Sequence, residues 1–344
     1  MVNIDFMGFA QGLNALGVPV HSIKPEQTDF YYDLYIKFRE GVTFAKVNAR
    51  KKDIEILLNA PVELTTGNGC IIVRILKPER EKKSLYDYLG SIQDLQNNHG
   101  YILPLAIGQD ENGKEIFFDL VKAPHILTGG ATGSGKSVFL NNCILSLIYG
   151  AKSSLCMIDV KRVEFSIYED IPNLSAPIAY TTKEAKKLLK DLCYTMDSRY
   201  ETLQKARCRN ISEYIEKGYT MQYITLVVDE IADLLLQDKS LESLLVRLAQ
   251  LGRAAGVHLI LATQRPDSTI VSGLIRANVP SRVCFAVQKS TDSRIILDEV
   301  GGENLTGAGD GLLKPTGARS ATRFQAPFID TDKIIAIAER LKTL

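Results

Sequence analysis

Hydrophobic and polar positions divide the chain into two parts with different patterns. In the first part, the apolar runs Tyr31–Phe38 and Cys70–Leu76 are typical of strands, and residues 49–58 between them have the spacing of a helix. The polar residues at 96–100 indicate a linker. We therefore predict a small α+β domain over residues 1–103.

From residue 104 onward, short apolar runs alternate with helical patterns. The turn signal Asn112-Gly113, with strand-like residues on both sides, predicts a hairpin. Residues 182–205 have the pattern of a long amphipathic helix. Three apolar runs are typical of buried parallel strands: 155–159, 223–228 and 257–262. Residues 104–344 are therefore predicted to form a doubly wound, parallel-dominated α/β sheet, with a ligand at the carboxyl ends of its strands.

Composition is that of an ordinary globular protein, with 45% hydrophobic and 24% charged residues in 344. The formal net charge is only +1, so a nucleic-acid partner would have to meet a local basic patch. No apolar run approaches the length of about 20 residues that a membrane span needs, and the N-terminus lacks a signal-peptide pattern. The six cysteines and four histidines have no metal-site spacing. These features predict a cytoplasmic protein with reduced thiols and no membrane segment.

The most specific motif follows an apolar run and precedes a helical pattern, and it matches G-x-x-x-x-G-K-[ST], the phosphate-binding P-loop. Its glycines let backbone N–H groups surround phosphate oxygens, its lysine neutralises the β- and γ-phosphates, and its hydroxyl binds Mg²⁺. The helix that follows directs its positive end at the anion. The sequence therefore predicts an ATP and Mg²⁺ site at Gly130-Ala131-Thr132-Gly133-Ser134-Gly135-Lys136-Ser137.

Two later strands end in polar side chains that would complete this site. Asp229 and Glu230 follow an apolar run, where an aspartate would hold Mg²⁺ and a glutamate would act as general base. The alternative is a strand that ends in solvated acids. Gln264 ends the next strand, where its amide would contact the γ-phosphate or the attacking water. Asp229 and Ser137 are the predicted metal ligands.

Arg253 lies in a stretch bounded by Gly252 and Gly256, which suggests a turn after a helix. An arginine there would reach the γ-phosphate bound to an adjacent subunit, as an arginine finger does. The residues alone favour equally an ordinary cation at a helix C-terminus.

Together these segments resemble the motor of the FtsK/SpoIIIE family of double-stranded DNA translocases. The resemblance rests on GGATGSGKS, IDVKRVEFSIYEDIPNL, SRYETLQKARCRNISEY, LVVDEIADLLL, RLAQLGRAAGVHLILATQRPD, GLIRANVPSRVCF, STDSRIILDEVG and LTGAGDGLL, which occur in family order between residues 124 and 313. Residues 1–103 also resemble the small domain that precedes this motor, and the likeness assigns them to the ring or to DNA.

The resemblance implies a RecA-like core that assembles as a hexameric homo-oligomer around duplex DNA, with ATP between subunits. It implies catalytic roles for Lys136, Glu230 and Gln264, and a trans-acting role for Arg253. Arg265 and Arg294 become the expected DNA contacts, together with Lys289, because the family often has a lysine where this chain has Ser290. Contacts to the DNA backbone would be independent of sequence.

A further stretch resembles the family's Asp-Pro-Lys-x-x-Glu motif through Asp159, Lys161 and Glu164, with Val160 in place of the proline. We interpret these three residues as organisers of a turn at the end of a strand.

Many family members also carry membrane spans and a C-terminal winged-helix domain, and we expect neither from this sequence. We expect either the isolated motor of a longer protein or a naturally minimal translocase. The leading hypothesis is ATP-driven movement on DNA for segregation or transfer. The alternatives are a coupling ATPase for conjugation or viral genome packaging, and a nucleotide-gated assembly module with incidental turnover.

Overall fold

The structure is a computed structural model that describes residues 4–28, 30–77 and 82–343. These residues divide into two compact units, one of the described residues up to 77 with 111–114 and one of residues 82–110 with 115–343. The division falls about 20 residues before the boundary suggested at residue 103. The predicted linker at 96–100 is wrong, because residues 96–98 complete a helix of the larger unit, Leu85–Asn98.

The smaller unit is an α+β domain, as the sequence predicts. Its elements are α1 (Phe6–Ala15), β1 (Val20–Gln27), β2 (Tyr31–Phe38), α2 (Phe44–Asn48), α3 (Lys51–Leu58), β3 (Val62–Gly67) and β4 (Cys70–Leu76). Within the described residues its strands form an antiparallel sheet in the order β1-β2-β4-β3. Both predicted strands are confirmed, and the predicted helix over 49–58 is confirmed from Lys51 onward. Buried side chains such as Leu34, Val73 and Ile54 form its core.

The larger unit alternates strands and helices. Its elements are α4 (Leu85–Asn98), β5 (Pro104–Gln109), β6 (Glu115–Asp119), β7 (Ile126–Gly129), α5 (Lys136–Gly150), β8 (Ser153–Ile158), α6 (Thr182–Lys205), α7 (Ile211–Glu216), β9 (Tyr223–Val228), α8 (Ile231–Gln237), α9 (Leu241–Ala255), β10 (Val257–Thr263), α10 (Gly273–Asn278), β11 (Ser281–Phe285), α11 (Ser290–Leu297), β12 (Asp310–Lys314), β13 (Thr322–Gln325) and α12 (Thr331–Lys342).

Nine strands of the described chain form one sheet, in the order β6-β5-β13-β12-β11-β7-β10-β9-β8. The run from β11 to β8 is parallel, and the other four strands extend it in antiparallel fashion. The hairpin predicted around Asn112-Gly113 is confirmed as β5 and β6. Because β10 lies between β7 and β9, the ends of these three strands are neighbours at one edge of the sheet.

Helices cover both faces of this sheet, which confirms the doubly wound arrangement. Alternate residues of one strand point to opposite faces. Ile260 of β10 packs in the core that contains α4, α5 and α12, whereas Leu259 and Leu261 pack in the core that contains α6, α8, α9 and α10. Both faces of the parallel strands are therefore apolar, as expected of a buried parallel sheet. No helix of the described residues is long and apolar enough to span a membrane.

Candidate nucleotide-binding site

The predicted P-loop connects β7 to α5 at the carboxyl edge of the sheet, and α5 begins at Lys136 itself. Gly135 has φ 111°, a conformation that side chains rarely adopt. A Cβ there would lie 2.5 Å from the backbone nitrogen of Gly309, so only glycine fits. Within the described residues, Ser134 Oγ is buried and has no hydrogen-bond partner. A buried polar atom beside a helix N-terminus fits an anion-binding loop.

A second loop, residues 306–310, supports the P-loop from outside. The backbone N–H of Gly309 donates to the carbonyl oxygen of Ser134 at 2.9 Å. This second loop is closed by Asp310, whose Oδ2 accepts bonds from the Thr306 N–H and hydroxyl at 2.9 Å and from Arg323 Nη2 at 2.8 Å. The LTGAGDGLL segment therefore acts on the P-loop through backbone packing, which the sequence analysis did not predict.

Lys136 and Asp229 form a buried ion pair. Lys136 Nζ lies 2.8 Å from Asp229 Oδ1 and also donates to the Asp229 carbonyl oxygen at 2.9 Å. Both side chains are only 2% exposed. A charge at this depth needs a partner, and each of these two side chains supplies one for the other. The two residues that were predicted to meet phosphate and Mg²⁺ are thus in contact across the site.

Glu230 is fixed by the end of β10. Its Oε1 accepts a bond from the Thr263 hydroxyl at 2.7 Å, and its Oε2 accepts one from the Gln264 N–H at 2.8 Å. The Gln264 side chain reaches the P-loop, where its Oε1 accepts from the Thr132 hydroxyl at 3.1 Å. Because β10 lies between β7 and β9, Gln264 connects the predicted base to the phosphate loop. The reading of these acids as merely solvated is wrong, because Asp229 and Glu230 are buried.

Asp159 organises the turn after β8, as predicted. Its carboxylate accepts bonds from the N–H groups of Lys161, Glu164 and Phe165 at 3.0 to 3.2 Å. For Lys161 and Glu164, however, the turn interpretation is incomplete. Ser137 Oγ donates to Glu164 Oε1 at 2.7 Å, which brings Glu164 into the site. The sequence analysis noted the Lys-x-x-Glu spacing, but the spacing alone does not show that Glu164 contacts the P-loop.

Lys161 faces the acids after β9. Its ammonium lies 3.0 Å from Asp233 Oδ2 and 3.7 Å from Glu230 Oε2. Burial alone would lower the pKa of Lys161, but the hydrogen bond to Asp233 and the charges of Glu230, Asp233 and Asp229 raise it above its ordinary value. Arg265 Nη1 approaches the other oxygen of Asp233 at 3.8 Å. Asp233, which the sequence analysis did not select, therefore contacts two cations.

A pocket beside the P-loop is lined partly by apolar residues. Ala326, Pro327 and Phe328 line it together with Thr132 and Gly133. Phe328 is 46% exposed, which is unusual for a phenylalanine and leaves a ring face available for stacking. Residues 326–328 match none of the quoted motifs, so the sequence alone carried no signal for this part of the site.

Arg253 lies away from the P-loop of its own chain. The predicted turn is wrong: Arg253 occupies the last turn of α9, just before β10 begins at Val257. The P-loop edge is where β10 ends, roughly 20 Å away at about 3.3 Å per residue. Arg253 is exposed and donates to the carbonyl oxygen of Lys122 at 3.1 Å, also before the start of a parallel strand.

The expected DNA contacts lie at the same edge as the P-loop. Arg265 follows β10 and is 66% exposed. Lys289 follows β11 and is the residue that precedes α11, while Arg294 lies within α11, and both are exposed. Since β10 and β11 are each parallel to β7, their ends share one edge of the sheet.

The side chains present fit a nucleotide with a divalent cation. Within the described residues, no three His, Cys, Asp or Glu side chains converge as a metal cage. Mg²⁺ needs no such cage, since it is usually held by one or two protein oxygens with phosphates and water. The Ser137 hydroxyl and the Asp229 carboxylate are oxygen donors of that kind, at the N-terminus of α5 and the end of β9.

Comparison with known proteins agrees with this geometry. The sequence model of the FtsK/SpoIIIE family matches residues 93–221 and 214–268. A protein named DNA translocase FtsK from Halalkalibacterium halodurans is 40% identical over 303 residues, which is 84% of this chain and 38% of that protein. A protein of the same name from Streptococcus pneumoniae is 44% identical over 258 residues, 70% of this chain and 33% of that protein. This chain therefore spans well under half of these relatives.

A solved structure, the pCW3 conjugation coupling protein TcpA in a monomer form with ATPgS, has a similar fold. It superposes with a TM-score of 0.70 at 24% identity and covers 98% of this chain and 99% of that one. At this identity the likeness concerns the fold, which is that of a P-loop ATPase.

Proposed function

Because the chain belongs to the FtsK/SpoIIIE family, we propose that it is an ATP-driven motor that moves along double-stranded DNA as a ring-shaped homo-oligomer, a hexamer. One observation carries the proposal. Lys136, Asp229, Glu230 and Gln264 come from three neighbouring strand ends and form one connected set of contacts at the carboxyl edge of the sheet.

ATP binding would use residues 130–137 for the phosphates. Backbone N–H groups of the loop and the N-terminus of α5 would hold the anion. Lys136 would give up its contact with Asp229 and would instead neutralise the β- and γ-phosphates. Mg²⁺, held by Ser137, Asp229 and phosphate oxygens, would neutralise charge that develops on the transferred phosphate. The ring of Phe328, which lines the same pocket, would offer the nucleotide's adenine a stacking surface.

Hydrolysis would use Glu230 as general base for water. Its carboxylate is positioned by Thr263 and by the backbone of Gln264, so its orientation does not depend on a flexible side chain alone. Gln264 would contact the γ-phosphate or the attacking water, and its bond to Thr132 gives it an alternative partner when phosphate is absent. Such an exchange of partners would report the state of the nucleotide to the end of β10.

Arg253 supports an assembly in which each site is completed by a neighbour. It lies at the opposite edge of the sheet from its own P-loop, yet it is exposed at a helix end where a neighbouring subunit would meet it. An arginine finger is worth about 10³ to 10⁵ in rate, so a monomer would be nearly inactive. This geometry favours the trans role over that of an ordinary helix-terminal cation.

DNA would be held by Arg265, Lys289 and Arg294. A few exposed cations per subunit, repeated around a ring, are sufficient for phosphate contacts that carry no sequence information. This resolves how a chain with a formal net charge of +1 would bind DNA. Residues 1–103 would contribute to the ring or to DNA contact, and the cytoplasm is the expected location. Segregation or transfer of DNA is the expected task.

DNA-stimulated hydrolysis tests the proposal. The ATPase rate should rise several-fold when linear duplex is added at low salt, because DNA would stabilise the assembled ring. The rate should be measured with linear duplex, with short duplex and without DNA, on protein whose oligomeric state is checked by light scattering. A rate that does not respond to long duplex in an intact oligomer would contradict a DNA motor and favour the nucleotide-gated assembly module.

A further inference from the structure

The acids after β9 are connected to an exposed arginine through one carboxylate. Asp233 lies in the first turn of α8 and is 18% exposed, so its charge is partly shielded from water. Its Oδ2 faces the Lys161 ammonium at 3.0 Å, and its Oδ1 faces Arg265 Nη1 at 3.8 Å. Each oxygen of one carboxylate thus faces a different cation.

Lys161 is shared between two acids. It lies closer to Asp233 than to Glu230, where the distance is 3.7 Å. Glu230 is almost fully buried and already accepts bonds from Thr263 and Gln264, so the ammonium is a third contact to the same carboxylate. A cation in this position holds the Glu230 carboxylate in an ion pair, so the carboxylate is less free to contact an attacking water.

Within this series of ion pairs, Arg265 is the residue that a ligand from solution could contact. With 66% of its side chain exposed and a long contact to Asp233, it would exchange that carboxylate for a phosphate at little cost. Asp233 would then be opposed by Lys161 alone and would draw the ammonium away from Glu230. Phosphate binding at Arg265 would in this way release the base.

We infer that Asp233 is a positioning residue that couples DNA occupancy at Arg265 to the availability of Glu230, through Lys161. The inference rests on the proposed function, since it assigns DNA to Arg265 and catalysis to Glu230. The simpler role for Asp233 is a helix-capping charge, because an acid in the first turn of a helix is favourable on its own. The two roles predict different kinetics.

The experiment compares the ATPase turnover number with and without linear duplex in two variants and their combination. In Asp233→Asn, Lys161 has only Glu230 as its carboxylate partner, so the DNA-dependent stimulation should fall by at least about fivefold, toward no stimulation. DNA affinity, measured by fluorescence anisotropy, should be retained because Arg265 is intact.

Lys161→Gln removes the restraining cation. Its DNA-free rate should rise toward the stimulated rate of the wild type, and the double variant Asp233→Asn with Lys161→Gln should behave like Lys161→Gln alone. A helix-capping role predicts instead that the loss in Asp233→Asn persists in the double variant.

The matched control is Asp238→Asn, at the other end of α8. The ion pair of Asp238 with Lys186 is separate from the site, so the stimulation of this variant by DNA should equal that of the wild type.

The outcomes separate this inference from the proposed function. If the wild type is stimulated by DNA and Asp233→Asn is stimulated equally, the coupling role is wrong and the motor proposal stands. If the double variant keeps the defect of Asp233→Asn, the coupling role is also wrong. If the wild type shows no stimulation, both proposals fall. Should Asp233→Asn fail to fold, Lys161→Gln still decides, because an unchanged DNA-free rate overturns the inference.

Discussion

Lys136 and Asp229 show how single residues of the site are kept ready for a ligand. Each is buried, and each neutralises the other at 2.8 Å. A buried pair of this kind contributes little net stability but is costly to break on one side only. An incoming phosphate and cation would replace both partners at once, so the pair would be exchanged rather than broken.

Lys136→Ala tests this role at the residue scale. ATP with Mg²⁺ should raise the melting temperature of the wild type, since a ligand at about 100 times its Kd stabilises the folded state by about 2.7 kcal/mol. In Lys136→Ala this shift should disappear, because the loop loses its only side-chain cation for the phosphates. A thermal unfolding series over ATP concentration measures it, with exposed Lys183→Ala as control. An undiminished shift in Lys136→Ala would refute the assigned role.

Single-residue roles were predictable where a motif fixes them, and otherwise less so. Asp229, Glu230 and Gln264 follow apolar runs, so strand ends could be located from the sequence, and the structure brings these residues together. Glu164 and Lys161 follow a turn whose path depends on Asp159, and Asp233 depends on the direction of a short helix. Such contacts arise from tertiary geometry that hydrophobic spacing does not encode.

At the scale of elements, β10 carries the part of the site that connects the other strands. It runs between β7 and β9, and it contains His258, which packs against Tyr223 and His125 in the interior. Burial, together with the charges of His125 and Arg253, lowers the pKa of His258 to about 3. Burial likewise lowers the pKa of His125 to about 4.

These two histidines predict a pH dependence of stability. In the unfolded chain they take up protons near pH 6.5, whereas in the folded chain they remain neutral until about pH 4 or 3. The unfolded state therefore binds more protons in this window, and stability falls as the pH decreases from about 6.5.

His258→Phe should reduce this slope by up to about 1.4 kcal/mol per pH unit, because one of the two groups is removed. Urea unfolding followed by circular dichroism at about pH 7 and about pH 5 measures the difference from the wild type. The exposed substitution Lys183→Ala, which removes no imidazole, is the control and should leave the slope unchanged. A wild-type slope in His258→Phe would contradict the burial argument.

Helix ends were predictable where capping residues mark them. The structure confirms the predicted helix α6 from Thr182 to Lys205, and Thr181 with Glu184 forms a capping box at its start. Gly252 misled the prediction of a turn around Arg253. It lies inside α9, where a side chain would collide with the carbonyl oxygen of Val257. The glycine therefore allows the helix and the strand to pack closely and does not mark a turn. Helix α4 was not predicted at all, and its polar last turn was interpreted as part of a linker.

At the scale of the whole molecule, the P-loop and Arg253 lie at opposite edges of one parallel sheet. Under the proposed function, each chain would therefore contribute to two different sites, and a complete site would need two chains. The class of fold was predictable from alternating strands and helices. The antiparallel extension by β12, β13, β5 and β6 was predicted only for the hairpin, because pairing between distant segments leaves no local signal.

Mixing two inactive variants tests this division. Lys136→Ala and Arg253→Ala should each abolish hydrolysis, yet mixed oligomers should regain activity at roughly a quarter of their interfaces, where an intact P-loop meets an intact arginine. The control mixes Lys136→Ala with Glu230→Gln, which damage the same half-site and should regain none. ATPase rates of reassembled mixtures, verified by two different tags, give the answer. Arg253→Ala that hydrolyses ATP normally would remove the argument for a shared site.

The central claim is that ATP hydrolysis at this site moves the protein along duplex DNA. The most direct measurement is displacement of a fluorescent third strand from a triplex at one end of a long linear duplex. The wild type should release the third strand only with ATP, and the release should take longer as the duplex lengthens. Glu230→Gln should bind ATP but should not release the third strand. Strand release that needs no hydrolysis, or no release by an oligomer that hydrolyses ATP on the same DNA, would contradict the claim.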